Sequence, residues 1–185
     1  MTIAIIGTAG RKEDGDKLSL DLYNRMYYDV IWRFSEMNVS VEERHLVSGG
    51  AAWADHLAVR AFLEDECVSL SLHLPAMFGG CRYLGMNSSK YDPGRIANYY
   101  HGLFSNKVKT NTLLEIAAAI KKGAGLTVSK GFKERNLLVG KSDAVLAYTF
   151  GQESFPKDGG TLHTWNSSSA KIKTHIPLHE LRAKL

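Results

Sequence analysis

The fold class the sequence predicts is an α/β three-layer sandwich, with a mostly parallel central sheet and helices on both faces. Two observations predict it. Short apolar runs alternate with longer segments whose apolar residues recur at helical spacing, the pattern of strands joined by crossover helices. In addition, three apolar runs lead into glycine turns: Ile3–Ile6 into Gly7-Thr8-Ala9-Gly10-Arg11, His45–Val47 into Ser48-Gly49-Gly50-Ala51, and Ala144–Tyr148, after a polar loop, into Asp158-Gly159-Gly160-Thr161. Three such turns suggest one mouth at the carboxyl ends of neighbouring parallel strands, where open α/β sheets bind ligands.

Taken in order, Ile3–Ile6 predicts a buried first strand. From Lys17 onward Leu18, Leu22, Met26, Val30 and Phe34 recur at i+4 and predict a helix ending near Met37-Asn38. Arg44–Val47 predicts the second strand. Ala52–Glu66 predicts a helix with Leu57, Ala58, Ala61 and Phe62 on one face, and Val68–Leu74 predicts a third strand that Pro75 ends. The stretch 77–110 reads as an irregular insertion holding a helix near Arg95–Leu103. Within it, Tyr99-Tyr100-His101 is a candidate lid over a substrate. Thr112-x-x-Glu115 reads as a capping box opening a helix through Lys122, which Gly123 and Gly125 stop. Phe132–Lys141 predicts a helix, Asp143–Thr149 the fourth core strand, Thr161–Ala170 a helix, and Ile172–Ile176 a final strand broken by Pro177. No repeat or low-complexity linker intervenes, so one domain carrying the 77–110 insertion is expected.

The bulk numbers narrow the function classes. Of 185 residues, 44% are apolar and 23% charged, an ordinary soluble composition. No apolar run nears the ~20 residues that span a bilayer. The chain enters a strand at once with no basic leader, so a cytoplasmic protein is expected. Two cysteines and seven histidines form no disulfide framework and no metal-ligand spacing, so no metal and no cofactor is expected. The net charge of +4 suits an anionic partner. The basic stretch Lys121 to Arg135 contains Phe132 but no repeated aromatic interleaving, which argues against a nucleic-acid stacking platform.

Glycines let a backbone approach a ligand closely, and strand-to-helix turns point N–H groups at anions. Gly7, Thr8, Gly10, Ser48, Gly49, Gly50, Gly159, Gly160 and Thr161 are therefore candidate ligand-binding residues, with Arg11, Arg135 and Asn136 beside them. Arg11 and Arg135 have the planar fork that suits a phosphate. Asp55, in the first turn after Ser48-Gly49-Gly50, would either complement a helix dipole or accept hydrogen bonds from a ribose or base. The third glycine and immediate helix of the dinucleotide fingerprint are absent after the first strand, so a standard NAD site is not expected.

These motifs, in this order, resemble the SLOG superfamily of Rossmann-like nucleotide-binding proteins. That group includes DprA, the TRPM-channel ligand domain and the LOG phosphoribohydrolases. The resemblance covers most of the chain in outline and leaves the 77–110 insertion unexplained. It implies a Rossmann-like fold, phosphate binding by Gly159, Gly160 and Thr161, a nucleotide contact by Arg135, and a homodimer or higher oligomer. The LOG turn is followed by glutamates that serve hydrolysis of the N-glycosidic bond. Here Leu162-His163-Thr164 follows instead. A catalytic carboxylate would then have to be Asp55 or Glu134 acting with Arg135; Glu115 and Asp158 are further candidates. Three readings follow: a nucleoside 5′-monophosphate N-glycosidase, a non-catalytic sensor of a nucleotide derivative such as an ADP-ribose relative, and a DprA-like single-strand binder. The first two stand nearly level, with the enzyme ahead because Tyr99-Tyr100-His101 could close over a substrate, and the third is disfavoured by the missing aromatic-basic stripe.

Overall fold

The computed structural model describes residues 1–85, 89–152, 154–157 and 159–183. Among them the strands are β1 (Thr2–Gly7), β2 (His45–Ser48), β3 (Ser69–Leu74), β4 (Phe78–Gly79), β5 (Arg82–Tyr83), β6 (Gly125–Val128), β7 (Ala144–Thr149) and β8 (Ile172–Pro177). The helices are α1 (Asp14–Lys17), α2 (Leu20–Glu36), α3 (His56–Leu63), α4 (Pro93–Val108), α5 (Thr112–Lys122), α6 (Phe132–Val139), α7 (Gly159–Ser167) and α8 (Leu178–Ala183). Six strands form one sheet in the order β6-β3-β2-β1-β7-β8. Every neighbouring pair in it is parallel. The chain builds outward from β1 to β2, β3 and β6, then returns to the other side of β1 with β7 and β8. This reversal places the loops after β1, β2 and β7 side by side.

Side chains alternate across the strands, so each strand feeds two cores. Ile3, Ile5, Leu46, Leu70, Leu72, Leu146 and Tyr148 face the helical layer that contains α2 to α5. Ala4, Ile6, Val47, Val145 and Ala147 face the opposite layer, where Val139 of α6 and Trp165 of α7 pack. The sheet is therefore covered on both faces, as its near-continuous apolar strands require. Among the described residues no helix is long and apolar enough to cross a membrane.

Besides the short helices α1 and α8, which the sequence pattern does not predict, four elements depart from the sequence-based expectation, each for a local reason. The second helix region begins at His56 rather than Ala52, because Gly50 and Trp53 adopt left-handed φ values of 66° and 64° that a helix does not accommodate. The stretch 77–110 is more regular than expected. It holds the β4–β5 hairpin and the 16-residue α4, which Asp92 caps by accepting the Arg95 N–H and which Pro93 enters at its first turn. The cap of α5 is Asn111, whose side chain accepts the Leu114 N–H; Thr112 and Glu115 make other contacts, described below, so the capping box does not form. Finally, β6 was not expected as a strand. It is a four-residue edge strand with every residue exposed, so it lacks the buried apolar pattern that marks the others.

Candidate functional site

The loops at the carboxyl ends of β1 and β2 are held by polar groups of the chain itself. Thr8, after β1, donates its N–H to the Tyr148 carbonyl (2.9 Å) and accepts the Ala54 N–H (3.3 Å). Its hydroxyl bonds Asp14 and accepts the Gly10 N–H. Gly7 must be glycine, because a Cβ there would lie 2.0 Å from the Tyr148 carbonyl oxygen and 2.7 Å from Ala54. Ser48, fully buried, donates to the Asp55 carbonyl (2.8 Å) and accepts the Gly50 N–H (3.0 Å).

Beneath these loops lies a buried ion pair. Arg135 reaches from α6 to donate through Nη1 to the Gly49 carbonyl (2.8 Å) and to the Asp55 carboxylate (3.3 Å). Arg135 is 8% exposed and Asp55 6%. Burial pushes the Asp55 carboxyl up. The Arg135 charge opposes this, together with the backbone N–H groups of Ala51, Gly49 and Gly7. The turns thus close around an internal anion, the Asp55 carboxylate. A Cβ on Gly49 would lie 2.2 Å from Arg135 Nη1 and 2.7 Å from Asp55 Oδ2, which explains a glycine at that position. Arg135 Nε is buried without a partner.

A second polar layer fixes Gly50 from behind. Its carbonyl accepts the Tyr83 hydroxyl from β5 and His101 Nε2 from α4, the latter at 3.0 Å. Burial pushes the His101 imidazole down to about 3, so the ring is neutral at physiological pH. A carbonyl only accepts, so Nε2 carries the proton and Nδ1 accepts from the Thr112 hydroxyl (2.9 Å). Ser105 in turn bonds Thr112 (2.9 Å). His101, expected within a lid, is instead a fully buried support of the Gly50 turn. Sequence reasoning missed Tyr83, which sits in a stretch without periodicity.

A narrow cleft opens above this floor. Its walls are Ala9 and Arg11 after β1, Gly49–Ala52 after β2, Pro75 after β3, Ile96, Ala97 and Tyr100 from α4, and Phe132 and Arg135 from α6. The Arg11 guanidinium lies over both Tyr100 (5.4 Å to the ring centre) and Phe132 (5.5 Å). Arg135 also lies over Phe132, at 5.5 Å. The mouth of the sheet therefore combines two guanidinium groups with two aromatic faces. Tyr99, Tyr100's neighbour, is exposed outside it.

The third turn stands beside this cleft rather than lining it. Thr161 donates its hydroxyl to the Gly7 carbonyl (2.9 Å), and Asn136 donates its amide to the Gly160 carbonyl (3.2 Å). These bonds tie the start of α7 to the β1 loop and to α6. Gly159, with φ of 68°, and Gly160 are exposed there. Asp158 lies outside the described residues. Glu134 is exposed and accepts the Lys130 N–H (2.6 Å), closing the first turn of α6 instead of entering the cleft. Glu115 is bonded to His56 (2.7 Å) and Thr110 (3.2 Å) in the helical layer.

No protein-family model matches the chain. It is 36% identical over 180 residues to an uncharacterized protein of Acanthamoeba polyphaga mimivirus, and the match covers 95% of each chain. The two proteins belong to one family.

Proposed function

We propose that this protein binds a nucleotide or nucleotide-derived phosphate in the cleft at the mouth of its parallel sheet, in the manner the SLOG resemblance implies. The observation that carries the reading is the Arg11–Tyr100–Phe132–Arg135 cluster over the glycine turns of β1 and β2. Aromatic faces stack bases, and guanidinium groups bind phosphate oxygens in a planar fork. The N–H groups of Gly10 and Gly50 and the polar atoms of Thr8 and Ser48 are engaged within the protein. Phosphate contact therefore falls to Arg11 and to the outer face of Arg135. The glycines supply close approach rather than a cradle of free donors. Gly159, Gly160 and Thr161, at the start of α7, offer a second anion position next to it.

On this reading the protein holds its ligand without cutting it, because Glu134 faces away and the residues after the last turn carry no carboxylate. One observation favours a second reading, N-glycosidic hydrolysis. Asp55 is a buried carboxyl with raised proton affinity directly below the cleft floor, a property that suits general acid–base work. There Asp55 would assist water as its oxygen bonds to C1′. The C1′–N bond would break with its electron pair going to the base. Asp55 would take the proton that this water loses and pass it to the departing base, and Arg135 would hold Asp55 in place. A panel of nucleoside mono- and diphosphates and ADP-ribose, followed by thermal melting and by chromatography, tests both. Binding is supported by a saturable rise in Tm that Phe132→Ala abolishes, with the compound recovered intact. Free base, lost in Asp55→Asn, would establish hydrolysis. No stabilisation and no conversion by any compound would refute the proposal.

A further inference from the structure

The central sheet ends on one side in β6, and this edge is bare. Natural sheets blunt their edges with charge, proline, bulges or a covering element, because unpaired N–H and C=O groups recruit other strands. The opposite edge, β8, carries Lys173 and ends in Pro177. β6 reads Gly-Leu-Thr-Val, with no charge and no proline, and every residue in it is exposed.

The open backbone groups of this edge follow from one bond. The Ser129 N–H donates to the Leu74 carbonyl at the end of β3 (2.8 Å). Successive residues of a strand turn their N–H and C=O groups to opposite edges. Residues 125, 127 and 129 therefore face β3, and Leu126 and Val128 direct theirs outward. Among the described residues nothing meets these outward groups. On either side the edge is closed. The Ala124 N–H is taken by the Ala119 carbonyl (3.0 Å), and the Lys130 N–H by Glu134 (2.6 Å). The Leu126 and Val128 side chains share the sheet face of their β3 partners Leu72 and Leu74. On that face Leu113, Ala117 and Ile120 are half-buried on the flank of α5 turned away from α3 and toward the edge. Strand and flank form one uncharged strip.

We propose that β6 pairs antiparallel with β6 of a second copy of this chain, about a two-fold axis through Thr127. Leu126 of each copy then lies opposite Val128 of the other, and the two residues exchange both N–H···O bonds. Every outward group of both strands is used. Any other two-fold register sets one of these residues against Ala124 or Lys130, whose N–H groups are already engaged. A two-fold interface requires a surface that complements itself, and this edge does so, which selects a second copy over an unrelated strand. The apolar Leu126–Val128 pair forms twice on one face, and Thr127 meets Thr127 on the other. Charge does not oppose the pairing. Lys130 comes opposite Ala124, and nearby Lys122 is met by Asp65 (2.7 Å). The strip is small: α5 is about 16 Å long and β6 about 13 Å. It falls short of the roughly 800 Å² per partner of a standard interface, so the dimer is weak and depends on concentration.

Sedimentation velocity of the full chain over a wide concentration range tests this. The parent should pass from monomer to dimer as concentration rises. Leu126→Lys and Val128→Glu should each weaken the dimer at least about tenfold, because each puts an unmatched charge twice into an apolar strip. The two positions are 43% and 45% exposed, so the monomers should melt as the parent does. The double variant sets Lys against Glu across the two-fold axis and should recover association, as should an equal mixture of the single variants. A chain that stays monomeric throughout leaves the edge to a strand of another protein and overturns the proposal. So does a dimer unmoved by either single variant, or a double variant that associates no better than they do. Neither position lines the cleft at the sheet mouth, so the outcome is independent of the nucleotide reading.

Discussion

Replacing Arg135 by Met probes the element that joins α6 to the β2 turn. Methionine keeps most of the apolar stem and removes the guanidinium. The Gly49 carbonyl then loses a donor at 2.8 Å and Asp55 loses its counter-charge at 3.3 Å. Both side chains are about nine-tenths buried, so solvent does little to compensate. Removing one partner of a buried pair costs roughly 3–5 kcal/mol, because the other charge is stranded. At this chain length each kcal/mol moves Tm by about 2–4 °C, so the drop should be about 6–20 °C. The stranded Asp55 will hold its proton to a higher pH than it does in the unfolded chain. The unfolded state therefore binds fewer protons between the two pKa values, and the variant should gain stability as pH falls from 7 toward 4. Adding Asp55→Asn to Arg135→Met removes the stranded charge and should restore a large part of the loss. Urea unfolding of the parent, both single variants and the double variant measures the coupling directly. A loss below about 1 kcal/mol for Arg135→Met, or no recovery in the double variant, would refute the reasoning.

Gly50→Ala should cost about 2–5 kcal/mol in urea unfolding. It puts a Cβ on a residue with φ of 66°, 2.4 Å from Leu74 and 2.6 Å from the Tyr83 hydroxyl. His101 gives a pH signature. Its folded pKa is depressed to about 3, so its contribution is complete above the unfolded value near 6.5 and is lost as pH falls through the window between them. Between pH 7.5 and 5 this amounts to about 2 kcal/mol, and His101→Gln should flatten that part of the stability profile. An unchanged slope in the variant would show that another group carries the acid sensitivity.

The strands of the sheet's centre were legible because each is an apolar run bounded by a turn. Ile3–Ile6 and Ala144–Tyr148 bury both faces and leave no ambiguity of period. The edge strand Gly125–Val128 was not legible, since exposure on both faces removes the pattern that marks a strand. The glycine turns were correctly placed at one end of the sheet, but their chemistry was not visible in the sequence. Gly49 is glycine because Arg135 and Asp55 occupy the space its Cβ would need, a contact across 86 residues that spacing does not disclose. Tyr99-Tyr100-His101 illustrates the same limit. A helix turns consecutive residues about 100° apart, so Tyr100 reaches the cleft, His101 is buried beneath it and Tyr99 faces solvent. Arg11 and Phe132 meet at 5.5 Å although 121 positions separate them, and only the crossover topology brings them together.

The measurement that tests the central claim most directly is calorimetric titration of ADP-ribose and a nucleoside monophosphate into the parent, Arg11→Ala and Phe132→Ala. Both residues are on the rim of the cleft, and neither belongs to the buried Asp55–Arg135 pair, so the variants should remain folded. The account predicts saturable binding of at least one of these phosphates by the parent, weakened about tenfold or more in each variant, as the loss of a charged contact or a stacking face requires. Binding equal in all three proteins, or none in the parent, would contradict it.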